Sequence, residues 1–181
     1  MNLFLIILAA GRSIRLKSSI PKPYHYVNNT TLLEHSIRAF KDIKEIKKTI
    51  IVYHHKHKKY LDKLSLKKTL QISGGRNRQE STFKALTKIK KMNCTKVLIH
   101  DSARPNPSKK MIDKIIFSLK KENAVVPIIN CTDAAKRYKK NQIFKNIKRE
   151  TLGFVQTPQG FTYKKIYKKH LKNINFSFDD D

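Results

Sequence analysis

Small residues and cations follow several apolar runs of this chain, in clusters that could bind phosphate groups. The first cluster, AAGRSIR, begins with Ala9, Ala10 and Gly11, whose small side chains let backbone N–H groups approach a ligand. Arg15 and Lys22 follow in a basic loop that closes with Pro-Lys-Pro. The cluster lacks the GxGxxG and Walker A spacings, so a tight turn explains it equally well when it is taken alone.

Two further clusters combine small residues, cations and an acid. GGRNRQES contains Gly74, Gly75 and Ser81, and a helix starting there would present free N–H groups to an anion or a polar base edge. HDSARP contains Asp101 and Arg104 directly after an apolar run. The Asp101 carboxylate could orient a hydroxyl, hold a metal or hold an arginine in place, whereas the histidine before it is interpreted as a packed strand residue.

A fourth cluster comprises Arg149 and the TPQ segment that starts at Thr157. The sequence suggests neither a Ser-His-Asp arrangement nor paired catalytic carboxylates. Cations surrounding a nucleotide suit phosphoryl or nucleotidyl transfer, in which catalysis depends on positioning the phosphate and neutralising its charge.

Strand-length apolar runs alternate with amphipathic helical patterns through most of the chain. Thr31 with Glu34 predicts a capping box at the start of one helix. The predicted strands are 3–9, 48–54, 69–73, 96–100 and 124–129, and the predicted helices are 32–40, 56–65, 78–92, 108–119 and 162–171. The alternation indicates an α/β fold with a doubly wound, mostly parallel, Rossmann-like sheet. Pro127 argues against a central position for the last strand, and the polar segment 130–152 indicates a protruding arm or a β-hairpin.

The length of 181 residues predicts a single domain over 1–181, and the 40 basic against 13 acidic residues give a net charge of +27. Nucleic-acid binding and a general lysine enrichment of solvated surfaces both explain this charge; lysine pairs scattered along the chain favour the second. Cys94 and Cys131 have no metal-ligand spacing and are predicted to be buried thiols in a reducing cytosol. The apolar run at 3–10 is too short for a membrane span and lacks the flanks of a secretion signal.

The motifs AAGxSxRLxxxxPKxY, LLEHSIRAF, GGxxRQES, HDSARP and TPQ, in this order, resemble the 2-C-methyl-D-erythritol 4-phosphate cytidylyltransferase family along essentially the whole chain. Related ribitol-5-phosphate cytidylyltransferases usually carry Ala-Val where this chain has Ser102-Ala103. Three alternatives stay open: another sugar- or alditol-phosphate nucleotidyltransferase, a basic nucleic-acid-binding domain, and an inactive pseudoenzyme.

The resemblance implies that methylerythritol phosphate attacks the α-phosphorus of CTP and releases pyrophosphate, with Mg²⁺ held mainly by the CTP phosphates. In that case Arg15 and Lys22 stabilise the transition state and Arg149 positions the substrate phosphate. The implied CTP-binding residues are Ala9, Ala10, Gly11, Gly74, Gly75, Ser81 and Ser102. The implied substrate-binding residues are Asp101, Arg104, Arg149 and Thr157. No protein metal ligand is expected.

The resemblance also implies a cytoplasmic homodimer whose arm crosses to the second subunit, without nucleic-acid or membrane partners. Members fused to a later cyclase of the same pathway are known in the family. The chain departs from the family pattern at Ser13, Ala134 and Lys148, where glycine, threonine and aspartate are usual. A final strand and its lysine are expected beyond Asp181, so the sequence predicts that the C-terminal segment is missing.

Overall fold

A six-stranded mixed sheet forms the centre of the computed structural model, which describes residues 1–11, 13, 16–66 and 68–173. The strands are β1 Leu3–Ala9, β2 Tyr26–Val27, β3 Thr30–Thr31, β4 Ile46–Tyr53, β5 Thr69–Ser73, β6 Lys96–Asp101, β7 Ala124–Val125, β8 Ile128–Asn130, β9 Ala135–Lys139, β10 Gln142–Ile147, β11 Gly153–Val155 and β12 Gln159–Thr162. The helices are α1 Leu32–Arg38, α2 Lys58–Leu61, α3 Arg78–Lys88, α4 Lys109–Ser118 and α5 Tyr163–Lys172.

The strand order β5-β4-β1-β6-β12-β7 confirms the predicted mostly parallel sheet. Pairs β5–β4, β4–β1 and β1–β6 are parallel, whereas β12 runs antiparallel to β6 and β7. Parallel pairing brings the carboxyl ends of β1, β4, β5 and β6 to one edge. The reversed direction of β12 brings its amino-terminal end, which follows Thr157, to the same edge.

Alternate side chains of β1 enter two separate apolar cores, because successive strand residues point to opposite faces. Leu5 and Ile7 pack with residues of α1, α2 and α4, whereas Phe4 and Ile6 pack with residues of α3 and α5. Helices therefore cover both faces, which confirms the doubly wound architecture. The capping box at Thr31 is also present, with the hydroxyl accepting the Glu34 N–H.

The predicted strand 124–129 is wrong as a single element. Proline has no N–H to donate to a sheet ladder, and the chain breaks at Pro127 into β7, at the edge of the main sheet, and β8, outside it. β8 pairs antiparallel with β11. The prediction for Cys131 is also wrong, since this thiol is only partly buried, whereas Cys94 is buried as expected.

The segment 130–152 contains the expected hairpin, formed by β9 and β10. The two-residue connection, Lys140 and Asn141, has φ angles of 48° and 63°. Left-handed conformations at both positions are those of a type I′ turn, whose twist matches paired strands. The hairpin and the β8–β11 pair together form a ribbon outside the main sheet, with mostly exposed side chains. Among the residues that the structure describes, no helix is long and apolar enough to cross a membrane.

Gly160 lets β12 pass close beneath α4. A Cβ at this position would lie 2.6 Å from Leu119 Cδ1 and 2.9 Å from Ile115 Cγ2. We expect Gly160→Ala to lower the free energy of unfolding by about 1–3 kcal/mol, because the packed core must shift. Urea unfolding measures this change. The matched control is Gly11→Ala, whose Cβ would meet none of the described residues within 4 Å. Equal stability of both variants would contradict the packing argument.

Candidate functional site

Small residues that directly follow β1 and β5 meet at the carboxyl edge of the sheet. A Cβ on Gly74 would lie 2.6 Å from Ala10 Cβ and 2.9 Å from Ser81 Oγ. The structure thus brings together three of the residues predicted to bind CTP. A Cβ on Gly11, directly after this contact, would meet none of the described residues within 4 Å.

The glycine turn before α3 is held by Ser81. The Ser81 hydroxyl accepts the Gly75 N–H at 3.0 Å and donates to the Asn77 carbonyl at 2.7 Å. The Asn77 side chain caps the helix by accepting the Glu80 N–H at 2.8 Å. The cap engages one N–H of the first turn, and the Ser81 hydroxyl shapes the loop in which Gly74 and Gly75 face the sheet edge.

Ser102 begins the loop after β6 and is 2% exposed. Its N–H donates to the Leu8 carbonyl at 3.1 Å, and its own carbonyl accepts the Ser36 hydroxyl from α1 at 2.8 Å. These bonds fix the backbone between the end of β1 and the HDSARP loop.

Asp101 lies between two arginines from different elements. Arg104 Nε is 3.2 Å from one carboxylate oxygen of Asp101, and Arg78 Nε, at the start of α3, is 3.5 Å from the other. Arg104 also donates to the Gln156 side chain. The Asp101 N–H donates to Thr157 Oγ1 at 3.3 Å. The residues predicted to bind the polyol phosphate around β6 thus form one connected cluster.

Lys22 is held by its backbone, while its side chain is exposed. Its N–H donates to Ser13 Oγ at 2.8 Å, and it begins a short 3₁₀ turn whose next residues, Pro23 and Tyr24, are buried. The Tyr24 ring stacks on Tyr60 at a centroid distance of 5.4 Å. This anchoring leaves the Lys22 ammonium at the surface, able to reach a ligand. The other predicted catalytic residues are Arg15, which lies outside the described residues, and Arg149.

Ser13, at a position where glycine is usual in the family, has a φ angle of 54°, in the left-handed region. Strain at a serine in this conformation is offset by its bond to the Lys22 N–H. We expect Ser13→Ala to speed amide hydrogen exchange at Lys22 roughly five- to tenfold, the equivalent of one lost hydrogen bond. The control Ser19→Ala should not change this rate. Unchanged exchange in Ser13→Ala would contradict the anchoring role.

Arg149 is not joined to this cluster within one chain. Its guanidinium donates to the Thr132 carbonyl at 2.9 Å and to Glu150 at 3.3 Å, within the ribbon. Among the described residues it has no hydrogen bond or ion pair with the strand-end cluster, so its predicted contact with substrate stays a prediction.

Sequence reasoning missed three contributors to the cluster. Arg78 lies inside the GGRNRQES motif, where the sequence predicts only the start of a helix. Gln156 directly precedes TPQ. His100 opens HDSARP, and its full burial in β6 confirms it as a packed strand residue, but the sequence does not predict that both its ring nitrogens lie within hydrogen-bond distance of cluster residues. The sequence signal for Arg78 and His100 is the presence of a guanidinium or an imidazole inside a motif that carries the predicted site residues.

The resemblance implies Mg²⁺ held mainly by the CTP phosphates, with no protein metal ligand. Across the described ranges, no three His, Cys, Asp or Glu side chains group as metal ligands. Asp101, the carboxylate at the strand ends, already faces two arginines. The Asp101 carboxylate is thus engaged by cations of the chain itself, and Mg²⁺ carried on the CTP phosphates stays a prediction.

A mostly parallel α/β sheet with a small-residue turn, a glycine loop and an Asp/Arg cluster at its carboxyl edge defines the nucleotidyltransferase class of fold. The family model for IspD, 2-C-methyl-D-erythritol 4-phosphate cytidylyltransferase, matches residues 3–181. This chain belongs to that family.

Relatives and solved structures agree with this assignment. The chain is 30% identical over 184 residues to the 2-C-methyl-D-erythritol 4-phosphate cytidylyltransferase of Bacillus cytotoxicus, covering 98% of this chain and 80% of that protein. It is 42% identical over 168 residues to the bifunctional enzyme IspD/IspF of Pelagibacter ubique, covering 93% of this chain. The 4-diphosphocytidyl-2C-methyl-D-erythritol synthase structure from Anaerococcus prevotii superposes with a TM-score of 0.85 at 25% identity, covering 99% of this chain and 80% of that one.

The chain spans about half the length of its bifunctional relatives. It covers 45% of the Pelagibacter ubique enzyme and 46% of the bifunctional IspDF structure from Campylobacter jejuni. The two activities in the name IspD/IspF are those of the longer relatives.

Proposed function

We propose that this chain transfers the cytidylyl group of CTP to 2-C-methyl-D-erythritol 4-phosphate. A phosphate oxygen of the polyol substrate forms a bond to the α-phosphorus, the bond from that phosphorus to the β-phosphate bridging oxygen breaks, and pyrophosphate leaves. The observation that supports this proposal is the shared edge at which the Ala10–Gly74–Ser81 contact and the Asp101–Arg104–Thr157 cluster lie beside the ends of β1 and β6.

The two halves of the edge have separate parts in the proposed reaction. Ala9, Ala10 and Gly11 leave room for the triphosphate, and the Gly74–Gly75 loop with Ser81 and Ser102 receives the base. Asp101, Arg104 and Thr157 hold the polyol phosphate. Lys22 and Arg15 neutralise charge as it moves toward the leaving pyrophosphate, where fixed cations act most strongly. Bound Mg²⁺ supplies additional neutralisation of the triphosphate.

We further propose that the active form is a homodimer. Large apolar side chains of the β8–β11 pair are exposed, among them Ile129 at 57% and Phe154 at 60%. Exposed apolar surface of this kind marks an interface, and a second copy would also give Arg149 of one subunit access to the cluster of the other. A cytoplasmic location, and a cyclase domain elsewhere in the natural protein, are parts of the same proposal.

Pyrophosphate release on mixing the chain with CTP, Mg²⁺ and methylerythritol phosphate tests the activity. We expect release with this substrate and much slower release with ribitol 5-phosphate. Faster turnover of ribitol 5-phosphate would reassign the substrate. Salt-sensitive DNA binding without CTP turnover would contradict the enzyme proposal. It would favour a nucleic-acid-binding function based on the net charge of +27.

A further inference from the structure

His100 is fully buried in β6, with 0% of its surface exposed, yet both ring nitrogens contact the cluster formed by Asp101, Arg104 and Thr157. Nε2 is 2.9 Å from the Arg104 carbonyl oxygen, and Nδ1 is 3.0 Å from Thr157 Oγ1. A buried imidazole with two such contacts links elements that are distant in sequence, because Thr157 belongs to the loop before β12.

The partners fix the proton positions. A carbonyl oxygen only accepts, so the hydrogen of the imidazole lies on Nε2 and donates to Arg104. Nδ1 then accepts from the Thr157 hydroxyl, and Thr157 Oγ1 in turn accepts the Asp101 N–H at 3.3 Å. One neutral ring thereby connects three residues of the cluster through consecutive hydrogen bonds.

The surroundings favour the neutral ring. The Phe40 ring, which follows α1, packs edge-on with its centroid 5.0 Å away. The pKa of His100 is lowered to about 4, chiefly by burial; the Arg104 carbonyl and the Asp101 carboxylate act against this shift, and the Arg104 guanidinium acts with it. Asp101 and Arg104 are the charged groups facing the ring, whereas Phe40 and Thr157 are neutral. The imidazole therefore keeps Nδ1 as an acceptor near neutral pH.

We propose that His100 is a positioning residue that holds Asp101, Arg104 and Thr157 in register for the polyol phosphate, a role that rests on the proposed function. His100 touches no substrate itself. It acts through the Thr157 hydroxyl and the Arg104 backbone, which set where the two charged side chains begin.

Two substitutions separate the two bonds. His100→Gln can keep a donor near the Arg104 carbonyl but loses the acceptor for Thr157, and His100→Asn can keep an acceptor near Thr157 but loses the donor. We expect each to raise the KM for methylerythritol phosphate about tenfold, the equivalent of one buried hydrogen bond. The KM for CTP should stay within about twofold, because among the described residues Gly74 and Ser81 make no hydrogen bond to His100, Arg104 or Thr157.

A core control separates positioning from general stability. Ile99→Val alters the neighbouring β6 residue, which is also fully buried but packs in the core against α3 and α5. Ile99→Val should lower the free energy of unfolding by the modest amount typical of removing one buried methyl group. It should leave both KM values unchanged. Parallel increases in the two KM values of the His100 variants, or an equal increase in Ile99→Val, would overturn the proposal.

A spectroscopic measurement tests the hydrogen-bonded chain without turnover. Long-range ¹H–¹⁵N spectra of the wild-type chain should show His100 as the neutral Nε2–H form at pH 7 and at pH 6, and Thr157→Val should shift its Nδ1 resonance while Thr157→Ser should not. A protonated ring or the Nδ1–H form would overturn the proposed geometry whether or not the chain turns over CTP. An intact chain of bonds with no pyrophosphate release would instead locate the failure in the proposed function.

Discussion

Replacing Lys22 by alanine is expected to lower turnover roughly 10²- to 10³-fold while changing the affinity for CTP only a few-fold. The backbone of Lys22 is anchored by Ser13 and by the buried residues after it, so the substitution removes the ammonium without releasing the loop. A cation that acts mainly on developing charge contributes to kcat rather than to ground-state binding. Single-turnover pyrophosphate release and calorimetric CTP binding measure the two effects. Arg15→Ala should behave in the same way.

Lys110→Ala is the matched control for Lys22→Ala. Lys110 is exposed on α4, so its removal changes net charge by the same amount without altering the sheet edge. We expect turnover within about twofold of the unmodified chain. Near-normal turnover in Lys22→Ala, or an equal loss in Lys110→Ala, would show that general charge rather than a positioned ammonium is responsible.

The second large effect is expected at Asp101. Asp101→Asn removes the negative charge between Arg78 and Arg104, leaving two guanidinium groups without their shared partner. We expect kcat/KM for methylerythritol phosphate to fall about 100-fold, the equivalent of about 2.7 kcal/mol. This free-energy loss lies toward the lower end of the range for breaking a charged pair, because the Asp101 side chain remains 32% exposed. Steady-state kinetics with each substrate varied in turn measures the change.

Asp113→Asn offers the same chemical change away from the site. The Asp113 carboxylate pairs with Lys109 at 2.7 Å on α4, where both side chains are largely exposed. Pairs of this kind contribute about 0–1 kcal/mol to stability, and we expect no change in kcat/KM. If the Asp101→Asn variant were as active as Asp113→Asn, the Asp101 carboxylate would have no part in substrate binding.

Local signals in the sequence predicted most of the fold correctly. The apolar run before Ala10, the Thr31–Glu34 capping box and the helical spacing after Arg78 all depend on interactions within a few residues. The break at Pro127 is also a local effect, since proline lacks an N–H. The partners of the resulting strands were not predictable, because pairing of β8 with β11 and insertion of β12 between β6 and β7 depend on contacts far apart in sequence.

The candidate site shows the same division. The motifs located Gly74, Ser81 and Asp101, because small residues and charges after strands have a recognisable chemistry. Their connections could not be read from spacing: Arg104 meets Gln156, which is 52 positions away, and His100 meets Thr157, which is 57 positions away. Such pairs form only after the sheet brings β6 and the loop before β12 together.

The ribbon is closed at its base. β8 and β11 pair, and the Gln156 N–H donates to the Pro127 carbonyl at 2.9 Å, so the chain leaves the main sheet and returns to it at neighbouring points. Because its two ends meet at the main sheet, the ribbon can change in sequence or length without disturbing the rest of the fold. Its hairpin tip at Lys140 and Asn141 can be lengthened, trimmed or recharged at little entropic cost. Such a tip can diversify between lineages while Thr157 keeps its place in the sheet.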